Sequence, residues 1–209
     1  MKLTKYQHAC FTVEKDNQVL VVDPGNFSGD FVAPSSVVGI VLTHEHADHF
    51  DQEQVASIVD KNPEALIVAP QSICDQIEAF KTQPVAAGDK VTVGSFNLEF
   101  FGGKHALIYA AMEPIENVGV MIDDLLYYPG DSFAEPGRSV DTLALPAAAP
   151  WMKISEGIDF LKAVKPRFAF PTHDAVLSEA GQSIADRLLS GVAEQQGTTY
   201  RRLTDPIEL

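Results

Sequence analysis

The sequence predicts an α/β protein in which two β-sheets pack together and carry helices on their outer faces. Three observations lead there. Short hairpin-like strands alternate along the chain with strand–helix pairs, an order that suits packed sheets with helices outside. Several strands are continuous apolar runs, as expected when both faces of a strand are buried. The chain has 209 residues, 45% of them apolar and 21% charged, which is ordinary for a globular protein with a sizeable core. A single domain over residues 1–209 is therefore expected.

Taken in order, residues 2–6, 9–14 and 18–22 read as strands, and the turn Lys15-Asp16-Asn17 joins the last two as a hairpin. Asp23-Pro24-Gly25 stops the third strand sharply. Residues 37–42 are an uninterrupted apolar run and read as a buried strand. Asp51-Gln52-Glu53-Gln54 opens a helix to Lys61, with acidic residues in its first turn and Asn62-Pro63 at its end. Residues 66–69 form another buried strand. Residues 72–80 read as an amphipathic helix with Ile73, Ile77 and Phe80 on one side. Strands follow at 83–86, 90–93 and 97–101, split by Gly88-Asp89 and Gly94-Ser95. Residues 118–122 and 125–128 bracket the turn Asp123-Asp124. The remainder reads as a strand at 142–145, a helix at 154–164, a strand at 168–170, a helix at 179–194 and a last strand at 199–203.

Formal charge is −14. Such a surface repels nucleic acid and anionic membrane, so a small-molecule substrate is expected instead, with a homo-oligomer left open. Bound divalent cations would offset part of that charge. Cys10 and Cys74 are far apart and suggest neither a disulfide framework nor a thiolate zinc site. The start, Met1-Lys2-Leu3-Thr4-Lys5, leads into no apolar signal segment, and no long apolar run follows, so a cytoplasmic protein is expected.

The stretch Thr43-His44-Glu45-His46-Ala47-Asp48-His49-Phe50 carries the chemistry. Residues two apart on an extended chain share a face, so His44, His46 and Asp48 can converge, while His49 projects differently and can serve a second ion. Imidazole with carboxylate suits zinc, and also iron, manganese or cobalt. A solvated polar turn is the ordinary alternative, but three imidazoles in so short a run have no packing use. Three further strand ends repeat the pattern: Gly102-Gly103-Lys104-His105, Pro129-Gly130-Asp131-Ser132 and Pro171-Thr172-His173-Asp174. A lone His after a strand is more often a surface residue. Beside the first cluster each becomes a candidate ligand, because one strand cannot complete a metal's shell.

The run His44-x-His46-x-Asp48-His49, followed by His105, Gly130-Asp131 and His173, resembles the metallo-β-lactamase superfamily. The start through Gln7-His8-Ala9 to Asp23-Pro24, and the run Asp141 to Pro146 through Trp151-Met152, resemble the branch containing ascorbate-6-phosphate lactonase and small metal-dependent hydrolases. The resemblance implies a four-layer αβ/βα sandwich with two mixed β-sheets and outer helices. It also implies two divalent ions, zinc foremost, with manganese or iron as alternatives. His44, His46 and His105 would hold the first; Asp48, His49 and His173 the second; Asp131 would bridge them. Two residues depart from the patterns of other branches: Asp131 stands where the commonest β-lactamases carry Cys, and His46 where flavin-linked di-iron relatives carry Glu. Gln7 replaces the Gly usual in relatives of the same branch.

Two divalent ions roughly 3.5–4 Å apart can share a water and lower its pKa towards ~7. The implied activity is therefore hydrolysis of an ester, lactone or phosphoester bond in a small anionic metabolite. Asp48, Asp131 and His173 would be the catalytic residues, with Asp48 accepting a proton and His173 or His8 as weaker candidates to donate one. A nucleotide or RNA phosphodiesterase and a non-catalytic metal sensor or scaffold are the alternatives. His8 reads as a turn or core histidine, or as a support to the site. Lys104 and Arg138 could pair with an anion, though solvated charge is the ordinary reading. Trp151, Met152, Tyr109 and Met112 could wall a pocket or fill the core. Phe27 and Phe31 could form a lid or pin their loop.

Overall fold

The computed structural model describes the whole chain, Met1–Leu209. Its first sheet is built from β1 (Lys2–Lys5), β2 (Phe11–Lys15), β3 (Gln18–Val22), β4 (Val37–Val41), β5 (Leu66–Ala69) and β6 (Thr82–Pro84), in that spatial order. The second holds β7 (Lys90–Val93), β8 (Phe96–Lys104), β9 (Glu116–Ile122), β10 (Leu126–Tyr128), β11 (Thr142–Pro146), β12 (Phe168–Thr172) and β13 (Thr199–Tyr200). The C-terminal β14 (Ile207–Glu208) returns to the free edge of β1. Each sheet begins antiparallel and ends parallel, the change falling at β3–β4 in one and β10–β11 in the other.

Side-chain alternation along these strands sorts the core into three layers. Leu20, Val22, Val41 and Val68 face inward to meet Phe100, Val120, Tyr128 and Phe170 of the opposite sheet. Their neighbours Val21, Ile40 and Ile67 face outward, under Val55 and Ile58 of α1 (Gln52–Lys61) and Ile73 of α2 (Gln71–Cys74). On the other side Tyr127, Leu143, Leu145 and Ala169 lie under Phe160 and Leu161 of α3 (Ile154–Val164) and Leu189 of α4 (Glu179–Gln195). The αβ/βα sandwich with two mixed sheets is therefore present as expected. No helix is long and apolar enough to cross a membrane.

Local chemistry explains the boundaries. Asp51 caps α1, its carboxylate accepting from Gln54 N at 2.9 Å. Asp16 and Asn17 both take left-handed φ (51° and 60°), as a tight hairpin turn requires, and so do Asp123 and Asp124 (50° and 57°).

Four elements differ most from expectation. The helix expected over 72–80 stops at Cys74 and continues as turns closed between residues three apart, Gln76 N to Ile73 O and Ile77 N to Cys74 O. Ile73 and Ile77 still reach the core, because apolar spacing alone does not separate an α-helix from such turns. β8 runs through Gly102-Gly103 to Lys104 instead of ending at Phe101, pairing with β9 to the last residue. The last strand, expected over 199–203, is cut to two residues, and β14 was not foreseen.

Candidate metal centre

Every chemical group named in the motif lies at one edge of the sandwich, where β4, β8, β10 and β12 end. The first turn is folded around a buried carboxylate. Asp23, in a left-handed conformation (φ 44°), accepts from Thr43 N at 2.8 Å, Thr43 Oγ1 at 2.7 Å and His49 Nδ1 at 2.7 Å. Gly25 lies against the same turn: a Cβ there would sit 2.0 Å from the carbonyl carbon of Asp48, so only glycine fits. Asp23-Pro24-Gly25 thus does more than stop a strand; it is the floor of the histidine turn. Asp131 is fixed similarly. Asn117 accepts from its backbone N–H through Oδ1 at 2.9 Å and donates to Pro129 O through Nδ2 at 2.9 Å.

Hydrogen bonds at the far nitrogen of each ring set its tautomer. His105 Nδ1 donates to Ala106 O at 2.6 Å, His173 Nδ1 to Ala148 O at 2.7 Å, and His49 Nδ1 to Asp23. The Thr43 hydroxyl gives its proton to Asp23, so it accepts from His44 Nδ1, 3.1 Å away. In their neutral forms these four imidazoles turn an Nε2 lone pair towards one another, which is how metal-binding histidines are commonly held. His46 presents Nδ1, 3.1 Å from His44 Nε2.

The ligand-type atoms fall into two groups, each within 4.8 Å: His44, His46, His105 and Asp131; and His8, Asp48, His49 and His173. All seven residues expected to form the site are brought together. Asp131 sits between the groups, with His173 Nε2 at 2.9 Å, His49 Nε2 at 3.2 Å, His105 Nε2 at 3.3 Å and His44 Nε2 at 3.8 Å. His49 Nε2, His105 Nε2 and Asp131 Oδ1 are buried without any hydrogen-bond partner. Such atoms are costly unless something satisfies them, and a divalent cation among imidazoles and carboxylates does so. The donor set therefore fits metal.

Electrostatics agree. Burial works to raise the Asp131 carboxyl, but His49, His105 and His173 overcome it and hold it well below the usual range. Asp48 is likewise depressed, burial being outweighed by hydrogen bonds from His173 and His8. Burial pushes His44 far down, and His46 down with help from His105. His49 and His173 go the other way: burial lowers them, but Asp131 with Asp23 raises the first well above normal, and Asp131 with Asp48 takes the second to about 9.

The remaining candidates divide. His8 is buried in a left-handed turn (φ 57°) whose carbonyls accept from Lys5 Nζ, and its Nε2 meets Asp48 Oδ2 at 2.9 Å. It supports the site and is no mere turn residue. Trp151 Nε1 donates to Asp131 Oδ2 at 2.8 Å. Phe27 packs edge-on to His8, whereas Phe31 packs on Tyr6 and the core beneath α1, pinning its loop. Arg138 is tied to Glu99 at 3.0 Å and Asp124 at 2.8 Å, so it is not the free anion partner considered above. Lys104 is exposed. The sequence assigns Asp23 and Asn117 no part in the site and names Thr43 only as the start of the histidine run; the one signal for Asp23 is an acidic residue in a turn, which a strand stop equally explains.

A sequence model described as the Beta-lactamase superfamily domain matches residues 2–173. Protein Rv0786c of Mycobacterium tuberculosis is 37% identical over 190 residues, covering 88% of this chain and 89% of its own. A UPF0173 metal-dependent hydrolase of Carboxydothermus hydrogenoformans is 25% identical over 195 residues, covering 83% and 84%. Igni18, a metallo hydrolase from Ignicoccus hospitalis, shares the fold with a TM-score of 0.75 at 16% identity, covering 100% of this chain and 98% of that one.

Two outcomes follow from this geometry. Asp23→Ala removes the acceptor shared by His49 Nδ1, Thr43 N and Thr43 Oγ1, and should lower the stability of the metal-free protein by about 3 kcal/mol, read as a shift in urea midpoint; an unchanged midpoint would show that Asp23 orients nothing. The second concerns protons. A raised imidazole stabilises the folded state fully below the ordinary value near 6.5, and that contribution is lost as pH rises through about 9 for His173. Burial lowers Lys5 from 10.5 to about 8, a cost to folding that fades as pH rises from about 8 towards 10.5, so melting curves above pH 8 would mix the two. Imidazole chemical shifts separate them: His173 should hold its proton beyond pH 8 without metal and titrate near 9, and a midpoint near 6.5 contradicts the arrangement.

Proposed function

The chain belongs to the metallo-β-lactamase superfamily, and from that premise we propose that it is a cytoplasmic hydrolase with two divalent ions that cleaves an ester, lactone or phosphoester bond of a small molecule. The observation that carries this reading is the convergence of His49 Nε2, His105 Nε2 and Asp131 Oδ1, buried and unpartnered, between two groups of further ligand atoms. His44, His46 and His105 would hold one ion and Asp48, His49 and His173 the other, with Asp131 shared. The imidazole-rich set favours zinc, with manganese or iron as alternatives. When bound, the ions would supply Lewis acidity and a water acidic enough to ionise near neutral pH.

The chain's own groups divide the remaining work by exposure. The Asp131 side chain is 2% exposed and Asp48 23%. Asp48 is therefore the carboxylate that can exchange a proton with an incoming substrate, while Asp131 holds position. His8, bonded to Asp48 Oδ2, fixes the orientation in which that exchange happens. The Trp151 N–H restrains rotation of Asp131 from the open side. His173 is anchored through Ala148 O and so keeps its Nε2 aimed at both carboxylates.

Asp131→Asn should retain almost no metal, whereas His105→Ala should keep about half the wild-type content. Elemental analysis of freshly purified protein measures both. An Asn variant that still holds two ions contradicts the shared-ligand assignment. The same preparations, screened on ester, lactone and phosphodiester probes, should show hydrolysis that falls at least a hundredfold in Asp131→Asn. Full metal loading with no turnover on any probe would favour the sensor reading.

A further inference from the structure

The loop 106–115 takes no part in the mechanism above, yet it is built from unusual material. It reads Ala-Leu-Ile-Tyr-Ala-Ala-Met-Glu-Pro-Ile, with a single charged residue. Leu107, Ile108, Tyr109 and Met112 are 55%, 40%, 66% and 53% exposed, and they make up four of the nine large apolar side chains exposed on the whole protein. Scattered surface hydrophobics need no explanation, but a cluster of this density marks a place that meets an apolar partner.

Its position says which partner. The loop is fastened to the centre at its neck, where His105 N donates to Ile115 O at 3.0 Å and Ala106 N donates to Asp131 O at 2.8 Å. Ile108, Met112, Pro114 and Ile115 line one small cavity, of about 40 Å³, with His46 and His105. The apolar surface is thus continuous with two of the imidazoles. No Lys or Arg lines that cavity; its one charged residue besides the histidines is Glu113. An anionic substituent would find nothing there, whereas an alkyl or aryl group would. A larger apolar groove, of about 520 Å³ between Met152 and Ile184, is lined by none of the imidazoles or carboxylates of the centre.

Resting on the hydrolase reading, we propose that Leu107, Ile108, Tyr109 and Met112 form a substrate-selecting wall, and that the group cleaved at the centre carries an apolar alkyl, acyl or aryl substituent lying along it. Polar atoms of the scissile group face the histidines, and carbon faces the loop. Because the cavity holds little more than one water's volume, the wall is an open surface. Complete burial of a methylene is worth about fourfold in affinity, so contact on one side is worth about twofold.

The test uses the metal-loaded full chain and two readouts. Trp151 is the only tryptophan, and its ring lies 5.7 Å from that of His105, so its fluorescence reports binding at the centre. Titration with acetate and with octanoate compares ligands of equal charge; octanoate should bind at least tenfold more tightly. In parallel, kcat/KM on 4-nitrophenyl esters should rise about twofold per methylene from acetate to octanoate. The combined variant Leu107→Ser, Ile108→Ser, Met112→Gln should keep its metal and its melting temperature while losing both trends. Equal binding of the two carboxylates overturns the wall, as does a chain-length trend that survives in the variant. So does a variant that merely turns a dimer into monomers with its preference intact, since the patch would then be a contact between copies. Octanoate preferred without hydrolysis of any ester would leave the wall standing and remove the ester-hydrolase reading; hydrolysis without chain-length preference would do the reverse.

Discussion

One carboxylate, Asp131, sets the terms for the rest of the molecule. It is 2% exposed, and imidazole nitrogens from His173, His49, His105 and His44 lie within 3.8 Å of it. A buried carboxylate is tolerable only with close positive partners and full hydrogen bonding. Those partners come from the ends of β4, β8 and β12, which belong to different sheets. The two sheets must therefore meet in one register for the charge to be accommodated, and the core between them serves that end. The imidazoles alone do not accommodate it comfortably. Burial pushes His44 down, while Asp131 outweighs burial and raises His49 and His173. Imidazoles crowd together, and three polar atoms of the centre stay unpartnered. A divalent cation among these atoms would remove both difficulties, which is why the arrangement is better understood as a metal-binding site than as an ion-pair network.

Rigidity comes from acceptors arranged behind the centre. Asp23 holds Thr43 and His49, and Thr43 in turn holds His44. The Thr43 carbonyl accepts from Val118 N at 3.0 Å, a backbone bond from the end of β4 to β9 in the other sheet. A second such bond, His173 N to His8 O at 3.1 Å, crosses on the opposite side of the centre. The sandwich is thus tied across its sheets on both flanks of the site. Two of the residues in these ties, His8 and His173, adopt left-handed backbone (φ 57° and 58°), a conformation costing about a kcal/mol or more in residues other than glycine. Strain of that kind persists where surroundings over-determine a geometry, as the cross-sheet bonds and the Lys5 clamp on the His8 turn do here.

The sequence disclosed what is local and withheld what is assembled. His44, His46, Asp48 and His49 announce themselves because they sit within one turn. His105, Asp131 and His173 have no signature of their own; they became candidates because each follows an apolar strand in a chain that already holds the cluster, and resemblance to a family pattern then gave them their places. Asp23 was hidden for a physical reason: Asp-Pro-Gly is also what a chain uses simply to stop a strand, and nothing local reveals that its carboxylate turns inward to His49. Arg138 misled in the opposite direction. Its partners are Glu99 on β8 and Asp124 in the turn after β9, both distant in sequence, so a free cation in the sequence is a paired one in the fold. The short helix at Gln71–Cys74 and the returning strand at Ile207–Glu208 were likewise decided by tertiary contacts, the first by packing that tight turns satisfy as well as a helix does.

The centre separates two demands that would otherwise conflict. Ligand atoms must be held to fractions of an ångström, and here they project from strand ends braced by Asp23, Asn117 and the cross-sheet bonds. Substrate selection needs a surface that can vary without moving those atoms. The loop after His105 meets both needs because the bond between His105 N and Ile115 O closes it at the neck. Nine residues then lie beyond a fixed gate, and their side chains can change while the backbone of the ligand stays where β8 and β9 put it. A substrate lying along that open apolar surface would cover it and displace water from beside the imidazoles, which would strengthen every charge interaction at the centre. The same carbon surface that would choose a substrate would therefore sharpen the electrostatics that act on it.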